Sequence, residues 1–310
     1  MKHILSLVKE HTKQDFNIFY YLSLFLLITL SLTLNYFFDI ENSWIDRETG
    51  NPIRIVLYFV LYGFGYYSTC LVVSYFKPNT SFLTSGKFWL FSLFGLSVLS
   101  IDSGFPFLHN IISSLNQSYQ AYSWLYKIGT NTISFLLVLA PLYLFYRFID
   151  TEKNGFYGLL KKSSLNPYVA LLLIISPFII LASFQKSFTD YYPIYKSNSL
   201  AELWHWPAFT PALLFEIFYG ADFLPVELLF RGFFVIGMAQ ILGKHSILPM
   251  VVVYCFLHFG KPAGEAVSSI FGGYVLGVIA LYTQSIWGGI IIHVGVAWMM
   301  ELAAYVARQF

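Results

Sequence analysis

Long apolar stretches separated by short polar segments dominate the first two thirds of the chain. Five stretches are long enough, or nearly so, for a helix to cross about 30 Å of hydrocarbon. They cover residues 18–38, 53–76, 88–115, 123–148 and 168–184. The third contains Asp102, Gly104 and Pro106, so we expect it to be broken or shorter than this range. The pattern predicts a series of transmembrane helices.

The pattern changes after residue 206, where the apolar runs become shorter and contain ionisable residues. The runs cover residues 207–220, 222–242, 247–260, 265–283 and 285–306. The ionisable residues are Glu216, Glu227, Arg231, His258, Glu265 and His293. A charged side chain at the centre of a membrane helix costs roughly 2.5–3.5 kcal/mol on insertion scales, so such groups usually face a protein interior or a water-filled cavity. We therefore predict an all-α, polytopic transmembrane bundle of about eight to ten membrane helices, with N-terminal helices and loops in residues 1–206 and a polar core in residues 207–310.

Composition and charge narrow the class of protein. Charged residues make up 11% of the 310 residues, whereas soluble domains carry about 25%. The hydrophobic fraction is 57% and the formal net charge is +2. These values exclude an ordinary cytosolic enzyme, a disordered chain and a nucleic-acid binder that works through a basic surface. We expect membrane lipid as a partner and no nucleic acid.

The charges of the loops predict the orientation of the first five helices. Basic segments contain Lys2, Lys9 and Lys13, then Lys77 and Lys87, and then Arg147, Lys153, Lys161 and Lys162. They alternate with an acidic segment at residues 39–51 and with residues 101–122, which lack Lys and Arg. The positive-inside rule then predicts a multi-pass protein with a cytoplasmic N-terminus, which we place in a bacterial inner membrane.

The loop of residues 186–206 would then lie outside the cell. It contains Tyr191, Tyr192, Tyr195, Trp204 and Trp206. Aromatic side chains of this kind anchor proteins at the membrane interface, and a disordered loop is the alternative.

Three short segments contain the residues that could perform chemistry. Glu227 and Arg231 are four residues apart and share one face of a helix, where they form either a site or an ion pair that only neutralises itself. His258 lies in an apolar run one helical turn after Tyr254; its alternative role is packing. His293 has Gly289 and Ala297 four residues before and after it. Such small residues let another backbone or a substrate approach closely, and the alternative role of His293 is a hydrogen bond between helices.

The remaining polar and small residues of this region have weaker interpretations. Glu265 and Glu301 lie near predicted helix ends, which favours solvated or capping roles. Glu216 precedes Glu227 by eleven residues, but we expect Gly220 and Pro225 to interrupt any common helix. Gly273 and Gly277 predict tight packing between helices.

Four of the ionisable residues indicate a functional site more strongly as a group than any one of them does alone. Glu227, Arg231, His258 and His293 lie on three neighbouring apolar segments, and their least costly partners are each other. One carboxylate, one guanidinium and two imidazoles that meet in a cavity form a set that can activate water.

The order Glu-x-x-x-Arg, aromatic-x-x-x-His and His-x-x-x-small resembles the CPBP family of intramembrane proteases, which includes the type II CAAX prenyl proteases and the bacteriocin-processing or immunity (Abi) proteins. The resemblance covers roughly residues 215–301. It implies catalytic roles for Glu227, Arg231, His258 and His293, and secondary roles are expected for Tyr254, Glu265 and Glu301.

The sequence departs from the family pattern at three positions. Val226 stands where the first of two adjacent glutamates is usual, Tyr254 replaces a phenylalanine, and Ala297 replaces a small polar residue. The missing glutamate is the favoured general base of the family.

The expected function is that of an intramembrane endopeptidase that cleaves a membrane-associated protein, either prenylated or leader-bearing. Glu227 or His258 would take a proton from water, His293 would donate to the oxyanion, and Arg231 would hold Glu227. Glu227, His258 and His293 could instead bind Zn²⁺, although the helical His-Glu-x-x-His signature is absent, and we favour chemistry that requires no metal. The alternatives are a catalytically impaired scaffold or immunity protein, favoured by Val226, and a small transporter.

Overall fold

The computed structural model describes residues 2–77, 81–152, 155–161, 164–196 and 199–309, which form helices and no strand. The α-helices α1 to α15 are, in chain order, Lys2–Asp15, Ile18–Phe38, Ile53–Phe76, Gly86–Gly104, Phe107–Ser114, Tyr119–Ser134, Ala140–Phe148, Asn166–Ala182, Lys186–Tyr191, Ser199–Leu203, Thr210–Glu227, Ala239–Leu242, Ile247–Phe256, Ala263–Thr283 and Trp287–Ala307. The π-helical segment Phe135–Leu139 joins α6 to α7. The all-α prediction is confirmed.

Seven helical stretches of the described chain are long and apolar enough to cross a membrane. They are Ile18–Phe38, Ile53–Phe76, Gly86–Ser114, Tyr119–Phe148, Thr210–Phe256, Ala263–Thr283 and Trp287–Ala307, and the shorter apolar helix α8 adds to them. The predicted polytopic bundle is confirmed, and the chain is an integral membrane protein. As expected, the third stretch is broken, because α4 ends at Gly104 and α5 begins after Pro106.

The helix that carries Glu227 is longer than the sequence predicted. Neither Gly220 nor Pro225 interrupts α11, which continues as the π-helical segment Leu228–Gly237. The prediction of an interruption at these two residues was therefore wrong. Gly220 is needed for packing, because a β-carbon there would lie 2.8 Å from the Trp298 ring. Proline removes only one backbone donor, and the helix continues past Pro225 without that hydrogen bond.

The N-terminal helices form an aromatic core behind the polar region. α3 packs against both α4 and α13. The close approach depends on small residues, since a β-carbon on Gly65 would lie 3.0 Å from the Phe256 ring and one on Gly95 would lie 2.6 Å from the Phe233 ring. The predicted packing role of Gly277 is confirmed, because the Met250 side chain of α13 fills the space beside it.

One end of the bundle is here called the basic end. It consists of α1 and the connections from α3 to α4, from α7 to α8, from α12 to α13 and from α14 to α15. Four contacts join them: Lys77 Nζ to Asp15 Oδ1 at 3.4 Å, Lys244 Nζ to the Gln14 carbonyl at 3.3 Å, Gln240 Nε2 to Asp150 Oδ1 at 3.2 Å, and Ser285 Oγ to the Lys161 carbonyl at 2.9 Å. Lys153 and Lys162 lie outside the described residues. The segments that the sequence assigned to one side of the membrane thus lie at one end of the bundle, and the cytoplasmic location of that end stays a prediction.

The predicted outer loop contains the short helices α9 and α10. Trp204 and Trp206 pack edge-on against Trp124 of α6. The prediction that Tyr192 anchors the protein at the interface was wrong, because its side chain is only 1% exposed and points into the bundle, where it bonds Glu265.

Candidate active site

Glu227 lies at the junction of α11 and the π-helical segment, fully buried. Its Oε1 accepts a hydrogen bond from His293 Nδ1 of α15 at 2.5 Å. The same oxygen forms an ion pair with Arg231 Nη1 at 2.9 Å. One carboxylate oxygen therefore contacts both the imidazole and the guanidinium.

Gly289 allows this arrangement. A β-carbon at residue 289 would lie 1.8 Å from Glu227 Oε2, so only glycine leaves room for the carboxylate one turn before His293. Gly289 thus serves the close approach of a side chain and not of a helix backbone. Phe223 stacks on the other side of the His293 ring, with centroids 5.1 Å apart.

Tyr254 of α13 links the two histidines. Its hydroxyl hydrogen-bonds His293 Nε2. Since His293 Nδ1 carries the proton donated to Glu227, Nε2 accepts from the tyrosine hydroxyl. The Tyr254 ring also lies against the Arg231 guanidinium, 4.3 Å from its centre, and edge-on against the His258 ring at 4.6 Å. The departure from phenylalanine at residue 254 therefore adds a hydroxyl to the site.

His258 lies in the turn that follows α13. Its Nδ1 donates to the Tyr254 carbonyl at 2.7 Å, because a carbonyl can only accept. This bond fixes the proton on Nδ1 and leaves Nε2 as an unprotonated base. Burial, with the positive charge of Lys261 as the second cause, lowers the pKa of His258 well below its usual range, so the ring is neutral at physiological pH.

Glu265, near the start of α14, faces His258. Its Oε1 is 3.9 Å from His258 Nε2 and 2.6 Å from Lys261 Nζ, and its Oε2 accepts from the Tyr192 hydroxyl at 2.8 Å. The predicted solvated or capping role does not describe this position. Glu265 provides a second carboxylate beside a histidine.

These groups surround a cavity of about 660 Å³. Its polar lining includes Arg231, Tyr254, His258, Lys261, Glu265 and His293, and apolar side chains of α8, α14 and α15 form most of the remaining wall. Ala297 also lines the cavity, whereas Val226 packs against the aromatic core. Glu227 is reached only through its hydrogen-bonded neighbours, since it is not part of the lining.

Glu301 lies apart from this cavity. Both of its carboxylate oxygens accept from the backbone N–H of Ile194, at 3.0 and 3.1 Å. The carbonyl of Ile194 accepts from Lys127 Nζ at 2.9 Å. Glu301 thus fixes the segment that carries Tyr192, and it does not join the two histidines.

Residues 214–299 match the model of the family described as type II CAAX prenyl endopeptidase Rce1-like. The resemblance is confirmed. No curated protein and no solved structure matches the chain. The Rce1-like segment includes every Arg, Lys, His and Glu residue that lines the cavity, and Glu301 lies just beyond it.

The Rce1-like segment does not form the zinc site considered from the sequence. In the part of the chain that the structure describes, no three His, Cys, Asp or Glu side chains are placed to hold a metal ion. Both nitrogens of His293 are engaged, one by Glu227 and the other by Tyr254, and Glu227 lies behind His293. Glu227, His258 and His293 therefore do not converge on one point.

Sequence reasoning missed the residues that hold the turn after the Rce1-like His258. Asn35 Nδ2 donates to the Phe259 carbonyl at 3.0 Å and its Oδ1 accepts from the Glu41 N–H at 3.2 Å. The Tyr36 hydroxyl donates to the Lys261 carbonyl at 2.8 Å. An asparagine in the last turn of an otherwise apolar span was the available signal, since a buried amide needs partners.

Proposed function

We propose that the protein is an intramembrane endopeptidase that hydrolyses a peptide bond of a membrane-associated substrate. The observation that carries the proposal is the pairing of each histidine with its own carboxylate around one cavity. His258 and Glu265 form one pair, and His293 and Glu227 form the other. Different environments for the two pairs allow His258 to accept a proton while Glu227 and His293 position the Tyr254 hydroxyl as a donor.

His258 acts as the general base. The gap of 3.9 Å between its Nε2 and Glu265 Oε1 suits one water molecule that contacts both groups. His258 takes a proton from this water as the oxygen attacks the carbonyl carbon of the substrate. Glu265 then stabilises the imidazolium that forms. In this assignment Glu265 replaces the glutamate that is missing at Val226.

The second pair stabilises the oxyanion. Negative charge develops on the carbonyl oxygen, and the Tyr254 hydroxyl turns away from His293 Nε2 to donate a hydrogen bond to it. Glu227 holds the His293 ring through Nδ1, so the Tyr254 hydroxyl stays in position as the charge develops. The intermediate collapses when the carbon–nitrogen bond breaks and His258 returns its proton to the leaving amine. One water is consumed, and the products are a carboxylate and an amine.

The walls of the cavity favour a substrate that is itself bound to the membrane. Leu171, Ile175 and Phe178 of α8 and Phe271 of α14 are apolar lining residues, and Phe178 and Phe271 are exposed on the outer surface. The Rce1-like match supports a lipid-modified peptide. We therefore propose a prenylated or leader-bearing protein as the substrate class.

The test is a cleavage assay with the full chain in lipid vesicles. The probes are a farnesylated peptide with a C-terminal CAAX sequence and the same peptide without the farnesyl group. We expect His258→Ala and Glu227→Ala each to lower kcat/KM at least 100-fold. His205→Asn and Glu202→Gln are matched controls at exposed positions, and they should retain activity. Unchanged turnover in both site variants would remove the proposal.

A catalytically impaired scaffold is the second candidate, because Val226 packs against the core where the family has a glutamate. Val226→Glu separates the two. If the wild-type chain is inactive and Val226→Glu cleaves the peptide, the chain is an impaired relative of an active protease. If neither cleaves it, a binding role is favoured.

A further inference from the structure

A second cavity lies at the basic end of the bundle, between the start of α4 and the turn that joins α12 to α13. Its volume is about 580 Å³. Its polar lining comprises Ser81, Ser85, Lys87, Gln240, Lys244 and His245. None of these residues lines the cavity of the candidate active site.

The charge of this basic cavity is only partly balanced. Lys87 and Lys244 are both half-buried, and neither forms an ion pair within the described residues. Asp15 is already shared by Lys77 at 3.4 Å and His245 at 3.2 Å. Two lysines thus face the cavity without a carboxylate of their own.

Asp150 is a further acidic group of this region. It accepts a hydrogen bond from Gln240 Nε2 at 3.2 Å, and Gln240 lines the cavity whereas Asp150 does not. The start of α4 adds to the positive potential, because the side chain of its N-cap residue, Ser85, makes no capping hydrogen bond. The N-terminus of this 19-residue helix favours an anion.

We propose that the basic cavity binds the phosphate group of an anionic phospholipid. Lys87 lies in the first turn of α4, at the start of a membrane-spanning stretch, where lipid phosphates are found. Trp89 and Leu90 in the next residues are 41% and 48% exposed. A tryptophan at this level is typical of the membrane interface, and the outer surface of α4 offers an apolar path for the acyl chains.

Native mass spectrometry of the detergent-solubilised full chain tests this proposal. The probes are phosphatidylglycerol, phosphatidylcholine with the same acyl chains, and inorganic phosphate. We expect phosphatidylglycerol to bind at least ten-fold more tightly than phosphatidylcholine. The double variant Lys87→Gln/Lys244→Gln should lose this preference, and Lys87→Arg/Lys244→Arg should retain it.

The matched control is Lys9→Gln/Lys13→Gln, which removes the same charge from two exposed positions of α1. It should change the affinity for phosphatidylglycerol less than two-fold. Equal losses in both glutamine double variants would indicate a general effect of surface charge and overturn the proposal. Retention of the preference in Lys87→Gln/Lys244→Gln would also overturn it. Binding of inorganic phosphate that depends on Lys87 and Lys244, without a lipid preference, would assign the cavity to a soluble anion instead.

Discussion

The carboxylate of Glu227 lies directly against the Cα of Gly289, at a distance that no side chain on residue 289 could share. Gly289→Ala should therefore displace Glu227 from His293. A misplacement of about 1 Å can cost roughly 100-fold in rate, so we expect kcat/KM for peptide cleavage to fall by at least that factor. Gly63→Ala is the control, because the nearest atom to a β-carbon there is 3.9 Å away. Full activity in Gly289→Ala would contradict the proposed role of the Glu227–His293 pair.

The Tyr254 hydroxyl can be tested without a change in packing volume. Tyr254→Phe removes the donor next to His293 Nε2 and keeps the ring that covers Arg231. Loss of one oxyanion donor costs about 10²–10³ in kcat in other enzymes, and we expect a decrease in kcat of that order with little change in KM. Tyr195→Phe should have no effect, since the Tyr195 hydroxyl has no hydrogen-bond partner among the described residues. If kcat of Tyr254→Phe matched the wild type, His293 would act without the tyrosine.

The pH dependence of cleavage should report on His258. Burial and the charge of Lys261 lower the pKa of this imidazole, and the base must be neutral to act. Activity should therefore persist below the usual histidine pKa of about 6.5 and disappear only as the pH falls through the lowered pKa. Lys261→Met removes a positive charge beside the ring and should move the acidic limb of the kcat/KM profile to higher pH. Lys13→Met, an exposed control, should leave the profile in place, and an unmoved limb in Lys261→Met would argue against His258 as the base.

Glu41 should make stability depend on pH. Burial and the charge of Asp46 raise the pKa of Glu41 from 4.5 to about 8. The folded chain therefore holds a proton that the unfolded chain releases above about pH 4.5. The free energy of unfolding should decrease as the pH rises from about 4.5 to 8 and then level off, with each unit of displaced pKa equivalent to about 1.4 kcal/mol. The apparent Tm of Glu41→Gln should show less of this decrease than that of Glu48→Gln, and identical slopes would contradict the prediction.

The features of the fold and the site that could be predicted from the sequence are those that depend on a pattern within one helix. The spacing of Glu227 and Arg231 predicted their ion pair, and the glycine four residues before His293 predicted a close approach. The long apolar runs predicted the first two spans to the residue. Each of these features depends on helical periodicity or on side-chain size.

Features that depend on distant partners could not be predicted in this way. Tyr192 reaches Glu265 from a connection 73 residues away, and Asn35 reaches Phe259 across 224 residues. The helix that carries Pro225 continues through it into π-helical turns, which no local pattern signals. Such contacts arise only when the whole bundle assembles.

The turn after His258 is held by hydrogen bonds from α2, near the start of the chain. The backbone carbonyls of Phe259 and Lys261 accept hydrogen bonds from the side chains of Asn35 and Tyr36. A fragment of residues 207–310 would keep both imidazoles and both of their carboxylates but would lack these two hydrogen-bond donors. We therefore expect the first membrane span to be part of the proposed hydrolytic machinery, and the Rce1-like segment not to act when it is moved alone to another scaffold.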